Sequence, residues 1–349
     1  MNKQPALMKA IELIGHGGLE KLCFSEEVIT PTPEYQQVLV RVRAAGVNNT
    51  DINTRIGWYS KGENDSQDAS WGGKPLTFPL IQGADVCGQI VAVGEGVSSR
   101  RLGERVLVEP CMSYIQGQLM DQPWYLGSEC NGGFAEYVVV DARHAYAIES
   151  DLTDIELASF PCSYSTAENM LTRAQVSQHD RVVITGASGG VGSAAIQLAK
   201  ARGASVVAVT SESKTSQILA LGADQVAVRD KSLVESLGSN SVDVVIDLVA
   251  GDAWPQLLEV LKPKGRYAVS GAIGGALVEM DVRTLYLKDL SFFGCTVLEP
   301  EVFGNLVNLI QQGKIQPLIA KSFPLRDIKK AQRFFLEKNH VGKVVLSIE

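Results

Sequence analysis

The stretch Val182-Val-Ile-Thr-Gly-Ala-Ser-Gly-Gly-Val-Gly192 decides the fold of this chain. Three apolar, β-favouring residues run into a glycine-rich turn, and a helix-forming segment, Val191-Gly-Ser-Ala-Ala-Ile-Gln-Leu-Ala-Lys200, follows at once. Gly186, Gly189, Gly190 and Gly192 permit a tight turn and close backbone approach. The helix N-terminus then offers unpaired N–H groups and a positive dipole end, which together suit a pyrophosphate. A glycine turn that only packs a helix on a strand looks the same in isolation. Here the turn stands in strand–turn–helix order within an alternating region, and that context points to dinucleotide binding through Ser188, Gly189, Gly190 and Val191.

Outward from this turn, strand and helix patterns alternate. Strand Ser205–Val209 and a helix from Lys214 follow, then an apolar run at Gln225–Val228 and strand Val242–Val249. A helix over 253–265 and strand Arg266–Gly271 complete the series. Such alternation implies parallel strands joined by right-handed helical crossovers, a doubly wound α/β sheet. Before residue 150 the texture differs: short β-rich runs such as Gln36–Val47 and Gly88–Val97 are separated by turn residues, as in a barrel or sandwich. Residues 60–77 and 111–133 are poorly patterned and read as irregular excursions. The last fifty residues read as two helices and a strand. A β-rich domain, an inserted α/β domain and a C-terminal return are expected.

Composition bounds the function. The 349 residues suggest two domains, and 45% hydrophobic with 20% charged content excludes disordered and fibrous classes. A net charge of −7 argues against nucleic acid as a partner. The uncharged window between Arg181 and Lys200 holds four glycines and is too polar and short for a membrane span. Six scattered cysteines without a CxxC, and no secretory pattern, fit a reducing cytoplasm.

The residues after the second α/β strand, Thr210-Ser-Glu-Ser-Lys214, select the dinucleotide. An acidic residue there would bind the ribose 2′-hydroxyl of NAD. This chain has neutral Thr210 instead, with Ser211, Ser213, Lys214 and, further on, Arg229 available to a 2′-phosphate. NADPH is the expected cofactor, although Glu212 opposes it unless turned away.

With these features, the chain resembles the medium-chain dehydrogenase/reductase superfamily over nearly its whole length. The carriers are Ala45-Gly-Val-Asn-Asn-Thr-Asp51 through Arg55 and Gly57-Trp-Tyr59, Phe78-Pro-Leu-Ile-Gln-Gly-Ala-Asp-Val-Cys-Gly88, Val93-Gly-Glu-Gly-Val97, Leu102-Gly-Glu-Arg-Val106, Gly132-Gly-Phe-Ala-Glu-Tyr137 and the glycine turn. The resemblance implies a GroES-like β-barrel catalytic domain (1–155 and 300–349) and a Rossmann domain (156–299), with nicotinamide in the cleft between them. It further implies that Thr166, Gly271, Ala272 and the backbone of Cys295 and Val297 lie against the cofactor. A homodimer joined through the strand around Phe292 is expected by the same analogy.

The superfamily has zinc-dependent and zinc-free branches. A catalytic zinc needs three protein ligands, but the matching positions hold Asn48, Ala84 and Cys162. A structural zinc needs four clustered cysteines, and only Cys111 and Cys130 stand in the relevant segment. No metal is expected. Without a Lewis acid to stabilise an alkoxide, the feasible acceptors are small electrophiles, quinones or carbonyl-conjugated alkenes, and the chain most resembles the zinc-free quinone oxidoreductase branch. Asn48, Thr50 and Tyr59 are the candidate catalytic residues, as donors to the product anion. The proton would come from Tyr59 or water. Asn53 departs from the Tyr of many relatives and alters the acceptor pocket, while Asp51 and Asp85 read as buried carboxylates paired with arginine. A non-catalytic NADPH sensor and a metal-dependent alcohol dehydrogenase are the competing readings; cofactor oxidation and metal content separate them.

Overall fold

The computed structural model describes residues 4–61 and 69–349; positions 62–68 of the expected 60–77 loop lie outside the described residues. The chain divides into two compact units. One comprises 1–162, 317–339 and 343–349, and the other 163–316 with 340–342. The second unit thus runs past the expected boundary at 299, because the amphipathic helix Val302–Gln311 buries Val302, Phe303, Leu306 and Ile310 and belongs with it.

The second unit is built on six strands in the order Gln225–Val228, Ser205–Thr210, Arg181–Ile184, Val242–Asp247, Leu261–Val269 and Ser291–Gly294. All neighbours are parallel. Central strands covered on both faces need continuous apolar runs, which Val182, Val183, Ile184, Val244, Val245 and Ile246 supply, each fully buried. The order of strands reverses between Arg181–Ile184 and Val242–Asp247, the position where such sheets bind ligands beyond their carboxyl ends. One local expectation fails. The helix predicted to reach 265 ends at Val260, and Leu261–Val269 is a strand. Pro263 lacks an amide proton and disfavours helical geometry at Lys262, so the helix cannot continue through it.

The first unit has a three-stranded sheet and a larger seven-stranded one. Within the larger sheet, Gln37–Val47 pairs antiparallel with Val86–Val93, Tyr137–Asp141 and the final strand Lys343–Ser347. Its register sets Val344 opposite Val47, which brings Lys343 to the level of Asn48. The second excursion is more regular than expected. Cys111–Ile115 and Gln118–Tyr125 form a hairpin, turned by Gln116 (φ 51°) and Gly117 (φ 77°). Both central residues take positive φ, as a two-residue hairpin turn with strand-matching twist requires. Among the described residues, no helix is long and apolar enough to cross a membrane.

Candidate active site

The glycine turn takes the form its sequence requires. Gly186 has φ 58°, and a Cβ on Gly192 would stand 2.3 Å from the Gly186 carbonyl oxygen. The helix Gly190–Ala201 is capped by Gly189, which has no side chain to satisfy the first N–H groups. Its opening turn, including Gly190 and Val191, therefore has N–H groups that no cap side chain satisfies, the arrangement that suits an anion. Beneath the turn lies a network that no sequence signal announced. The fully buried Asp247 accepts hydrogen bonds from the Thr185 hydroxyl (2.6 Å), the Tyr267 hydroxyl (2.6 Å) and the Val249 and Ala250 amides. Trp254 Nε1 donates in turn to the Tyr267 oxygen at 2.9 Å. These bonds fix the carboxyl ends of the two strands flanking the switch point.

The residues expected to meet a 2′-phosphate are brought together. Lys214 Nζ donates to Ser188 Oγ (3.4 Å) and to the His340 carbonyl (2.9 Å). Ser211 and Ser213 hydroxyls stand 3.2 Å apart. The Arg229 amide donates to the Thr210 carbonyl at 2.9 Å, while its side chain is largely exposed beside Asp230. Partial burial, and then the charge of Arg229, pull the Lys214 pKa below its ordinary value, so an anion here would relieve both. Glu212 is exposed. Thr210 Oγ1 is buried, with no hydrogen-bond partner among the described residues. An orphaned hydroxyl, two cations and two serines beside a glycine cradle fit a phosphorylated dinucleotide.

Of the remaining cofactor candidates, Thr166 and Val297 are tied to the helix Pro161–Arg173. Asn169 of that helix donates to the Val297 carbonyl at 3.0 Å, and Thr166 lies one turn earlier on the same face. The Cys295 amide donates to Val269 O at 2.9 Å, and burial pushes the Cys295 thiol pKa up. Gly271 passes so close to Leu248 that a Cβ would stand 2.7 Å from its carbonyl oxygen, and Ala272 follows it on the loop after Leu261–Val269.

In the first unit, Asn48 caps the helix Asn49–Ile56. Tyr59, just beyond the Gly57 that ends this helix, donates its hydroxyl proton to Thr50 Oγ1 at 3.2 Å. Asn53 bonds the same hydroxyl, so the departure noted there supports Tyr59. Burial raises the Tyr59 pKa above its ordinary value, which keeps the hydroxyl protonated. Thr50 and Tyr59 thus form a joined pair of hydroxyls.

Asn48 is differently engaged than expected. Its Nδ2 donates to Asp85 Oδ2 at 2.8 Å, and its Oδ1 accepts from Lys343 Nζ. Lys343 Nζ also donates to Asp85 Oδ2 at 2.8 Å. Its side chain is 3% exposed and that of Asp85 is 0% exposed. The expectation that Asp85 and Asp51 pair with arginine is corrected: Asp85 pairs with Lys343, from the last strand. Asp51 instead accepts the backbone amides of Asn48 (2.7 Å) and Gly83 (3.2 Å). The nearby Arg55 turns away to Gln332 and the Gly17 carbonyl. Burial is the largest influence on Asp51 and pushes its pKa up to about 7.

A zinc does not fit this donor set. Ala84 offers no ligand atom, Asp85 is already paired with an ammonium, and burial pushes the Cys162 thiol up to about 12. Cys162 lies 3.1 Å from the Tyr125 hydroxyl through its sulfur, and its amide donates to Asp85 Oδ1. Cys111 and Cys130 are thiols and form no disulfide. Among the described residues, no three His, Cys, Asp or Glu side chains are grouped as metal ligands would be. The two sequence excursions meet: Trp71 stacks on Tyr125 (centroids 4.9 Å apart) and its amide donates to Ser128 Oγ at 2.9 Å.

Residues 34–150 match the family described as the alcohol dehydrogenase GroES-like domain, and residues 190–312 match the zinc-binding dehydrogenase family. Rat quinone oxidoreductase is 29% identical, covering 97% of this chain and 98% of the relative. Acryloyl-coenzyme A reductase of Metallosphaera sedula is 30% identical, covering 97% and 100%. A Sinorhizobium meliloti crystal structure, provisionally named an alcohol dehydrogenase, superposes with TM-score 0.92 at 44% identity, covering 100% and 99%. The fold is a GroES-like domain joined to a Rossmann-type sheet. This chain belongs to the quinone oxidoreductase-like part of the medium-chain dehydrogenase/reductase superfamily, and is an oxidoreductase of a family that binds a nicotinamide cofactor.

Proposed function

We propose that the protein is an NADPH-dependent, zinc-independent reductase of quinones or carbonyl-conjugated alkenes. The observation that carries this reading is the donor set at the three positions where a zinc-dependent relative needs metal ligands: a carboxamide at Asn48 engaged by Asp85, no ligand atom at Ala84, and a Cys162 thiol that burial keeps protonated. A substrate that must be activated by a metal is then disfavoured, and an acceptor that is already electrophilic is favoured. NADPH is supported over NADH by Lys214, Arg229, Ser211 and Ser213 around the unpartnered Thr210 hydroxyl.

A bound nicotinamide would supply hydride to the electrophilic carbon of the acceptor. The chain's own part is to hold the cofactor at the glycine turn and to meet the charge that grows on the acceptor oxygen. Tyr59 and Thr50 meet that charge. Their linked hydroxyls can donate hydrogen bonds, and the raised Tyr59 pKa keeps its proton in place until the oxygen becomes basic. Asn48 serves less as a donor than expected, because its amide is engaged by Asp85 and Lys343.

A homodimer accords with the edge strand Ser291–Gly294, whose outer side has no neighbour in the sheet among the described residues. Leu277, Tyr286 and Leu287 on the same unit are exposed, and such an edge invites pairing with a second copy. Sedimentation at a single-chain mass would overturn it. The function is tested by following cofactor absorbance with NADPH or NADH against a panel of quinones, enones and alcohols. Oxidation of NADPH by a quinone or enone is expected. Tight NADPH binding without turnover would favour a sensor, and alcohol-driven NADP reduction a dehydrogenase.

A further inference from the structure

One residue of the second unit holds a backbone conformation that belongs to glycine. Ala250 has φ 54° and ψ −137° and is buried, a combination that crowds a Cβ and is costly for any residue with a side chain. Its surroundings hold it there. The Leu248 amide donates to Thr185 Oγ1 (2.8 Å), and the Val249 and Ala250 amides donate to Asp247 Oδ1 (3.0 and 3.1 Å). The Thr185 hydroxyl itself donates to the same Asp247 oxygen. Successive amides thus converge on Thr185 and Asp247, and the chain must turn sharply at Ala250. It then meets the next loop backbone to backbone. The Gly274 amide donates to the Val249 carbonyl at 2.8 Å, and a Cβ on Gly251 would stand 2.4 Å from the Gly274 carbonyl oxygen. A relaxed φ at Ala250 would pull the amides off Asp247 or Gly251 off Gly274. Strain of this kind persists where packing over-determines it, and it gathers at functional sites.

The place of this segment in the sheet gives the strain a use. The cations and serines proposed for the 2′-phosphate follow strands Ser205–Thr210 and Gln225–Val228, on one side of Arg181–Ile184. A dinucleotide with its pyrophosphate at the glycine turn must send its other half across the switch point, over the ends of Val242–Asp247 and Leu261–Val269. Residues 248–251 and 270–274 are the loops that follow those ends. The first of them reaches the glycine turn itself: a Cβ on Gly186 would lie 3.2 Å from Val249 Cγ2. We propose that Ala250 is a positioning residue, whose strained backbone, held by Asp247 and Thr185, locks the two loops into one shelf that fixes the nicotinamide half of the cofactor for hydride transfer. The effect on turnover rests on the reductase reading, whereas the strain and the hold on the ring do not.

Ala250→Gly keeps every hydrogen bond and removes the cost of the conformation. Without cofactor, its melting temperature is expected to rise by about 1–4 °C. Its NADPH Kd should stay within about twofold, since the phosphates are held on other elements. Turnover should move the other way: with a quinone acceptor, kcat falls about tenfold as the ring loses its fixed place. The fluorescence lifetime of bound NADPH lengthens as the dihydronicotinamide ring is immobilised, and it should shorten in the variant. Thr185→Val, which takes the hydroxyl from the Leu248 amide, should lower melting temperature, lifetime and kcat together, and Thr185→Ser should restore all three. Higher melting with a shorter lifetime and a lower kcat supports the proposal. An Ala250→Gly variant that melts at or below wild type overturns it, because no strain is then held. One that melts higher with lifetime and kcat unaltered overturns the use assigned to the strain. Should wild type turn over no acceptor, the reductase reading falls, and melting temperature and lifetime decide the proposal by themselves.

Discussion

The two units assemble their functional residues in different ways. In the second unit, the residues proposed to cradle a dinucleotide are neighbours in sequence: Gly186 to Gly192 make the turn and Thr210 to Lys214 follow the end of the next strand. In the first unit, the cluster gathers Asn48, Asp51, Asp85, Cys162 and Lys343, the last 258 positions from Asp85. A local site is set by backbone demands at a turn. A dispersed one is set by strand register, and its parts carry no spacing that marks them. The first kind should fail when one charge or glycine is altered, and the second when the register or the closest approach is disturbed.

The largest expected effect belongs to the local site. Replacing both Lys214 and Arg229 by Ala should weaken NADPH about a hundredfold, at a few kcal/mol for charge-assisted bonds, and leave NADH nearly unchanged. Fluorescence titration with both cofactors checks this; equal losses would mean that the pair senses no 2′-phosphate. Next comes Tyr59→Phe, which removes the donor but keeps the ring. A fall in kcat of about tenfold or more is expected, with NADPH affinity unaltered, and full turnover would remove Tyr59 from the chemistry.

The dispersed site is probed by Gly46→Ala, whose new methyl would press on Asp85 Oδ2. Overpacking of this kind costs about 1–3 kcal/mol, seen as a lower melting temperature. An unaltered melting temperature would show that the approach of Asp85 to Gly46 is not tight. The smallest effect is on pH dependence. Asp51 holds its proton up to about pH 7 in the fold, whereas an unfolded aspartate loses it near pH ~4. The native state therefore binds more protons between these values, and stability should fall as pH rises through that window and level off above it. Asp51→Asn should flatten the slope in melting curves taken across it; an unaltered slope would assign the dependence to another group.

Much of the second unit is legible in sequence, because a glycine turn between an apolar strand and a helix has few other solutions, and parallel strands buried on both faces must be apolar throughout. Asp247 escaped that reading. Its partners Thr185 and Tyr267, and the Trp254 that bonds Tyr267, are supplied by three elements, and a single aspartate at a strand end has many fates. In the first unit, the absence of metal-ligand residue types at Asn48 and Ala84 could be read directly, but the buried partner of Asp85 could not. Lys343 in Gly-Lys-Val-Val-Leu346 looks like an ordinary strand-edge lysine until antiparallel register sets it opposite Asn48. The Gln116-Gly117 turn was readable in principle from its glycine after a polar residue, yet the polar, weakly alternating strands around it concealed the hairpin.

Hydride transfer to an activated acceptor without a metal ion is the central proposal. It is tested most directly by NADPH oxidation with a quinone in protein dialysed against a strong chelator and checked for metal content. Undiminished turnover without bound metal is predicted. Loss of turnover on chelation, recovered by adding zinc, would contradict it.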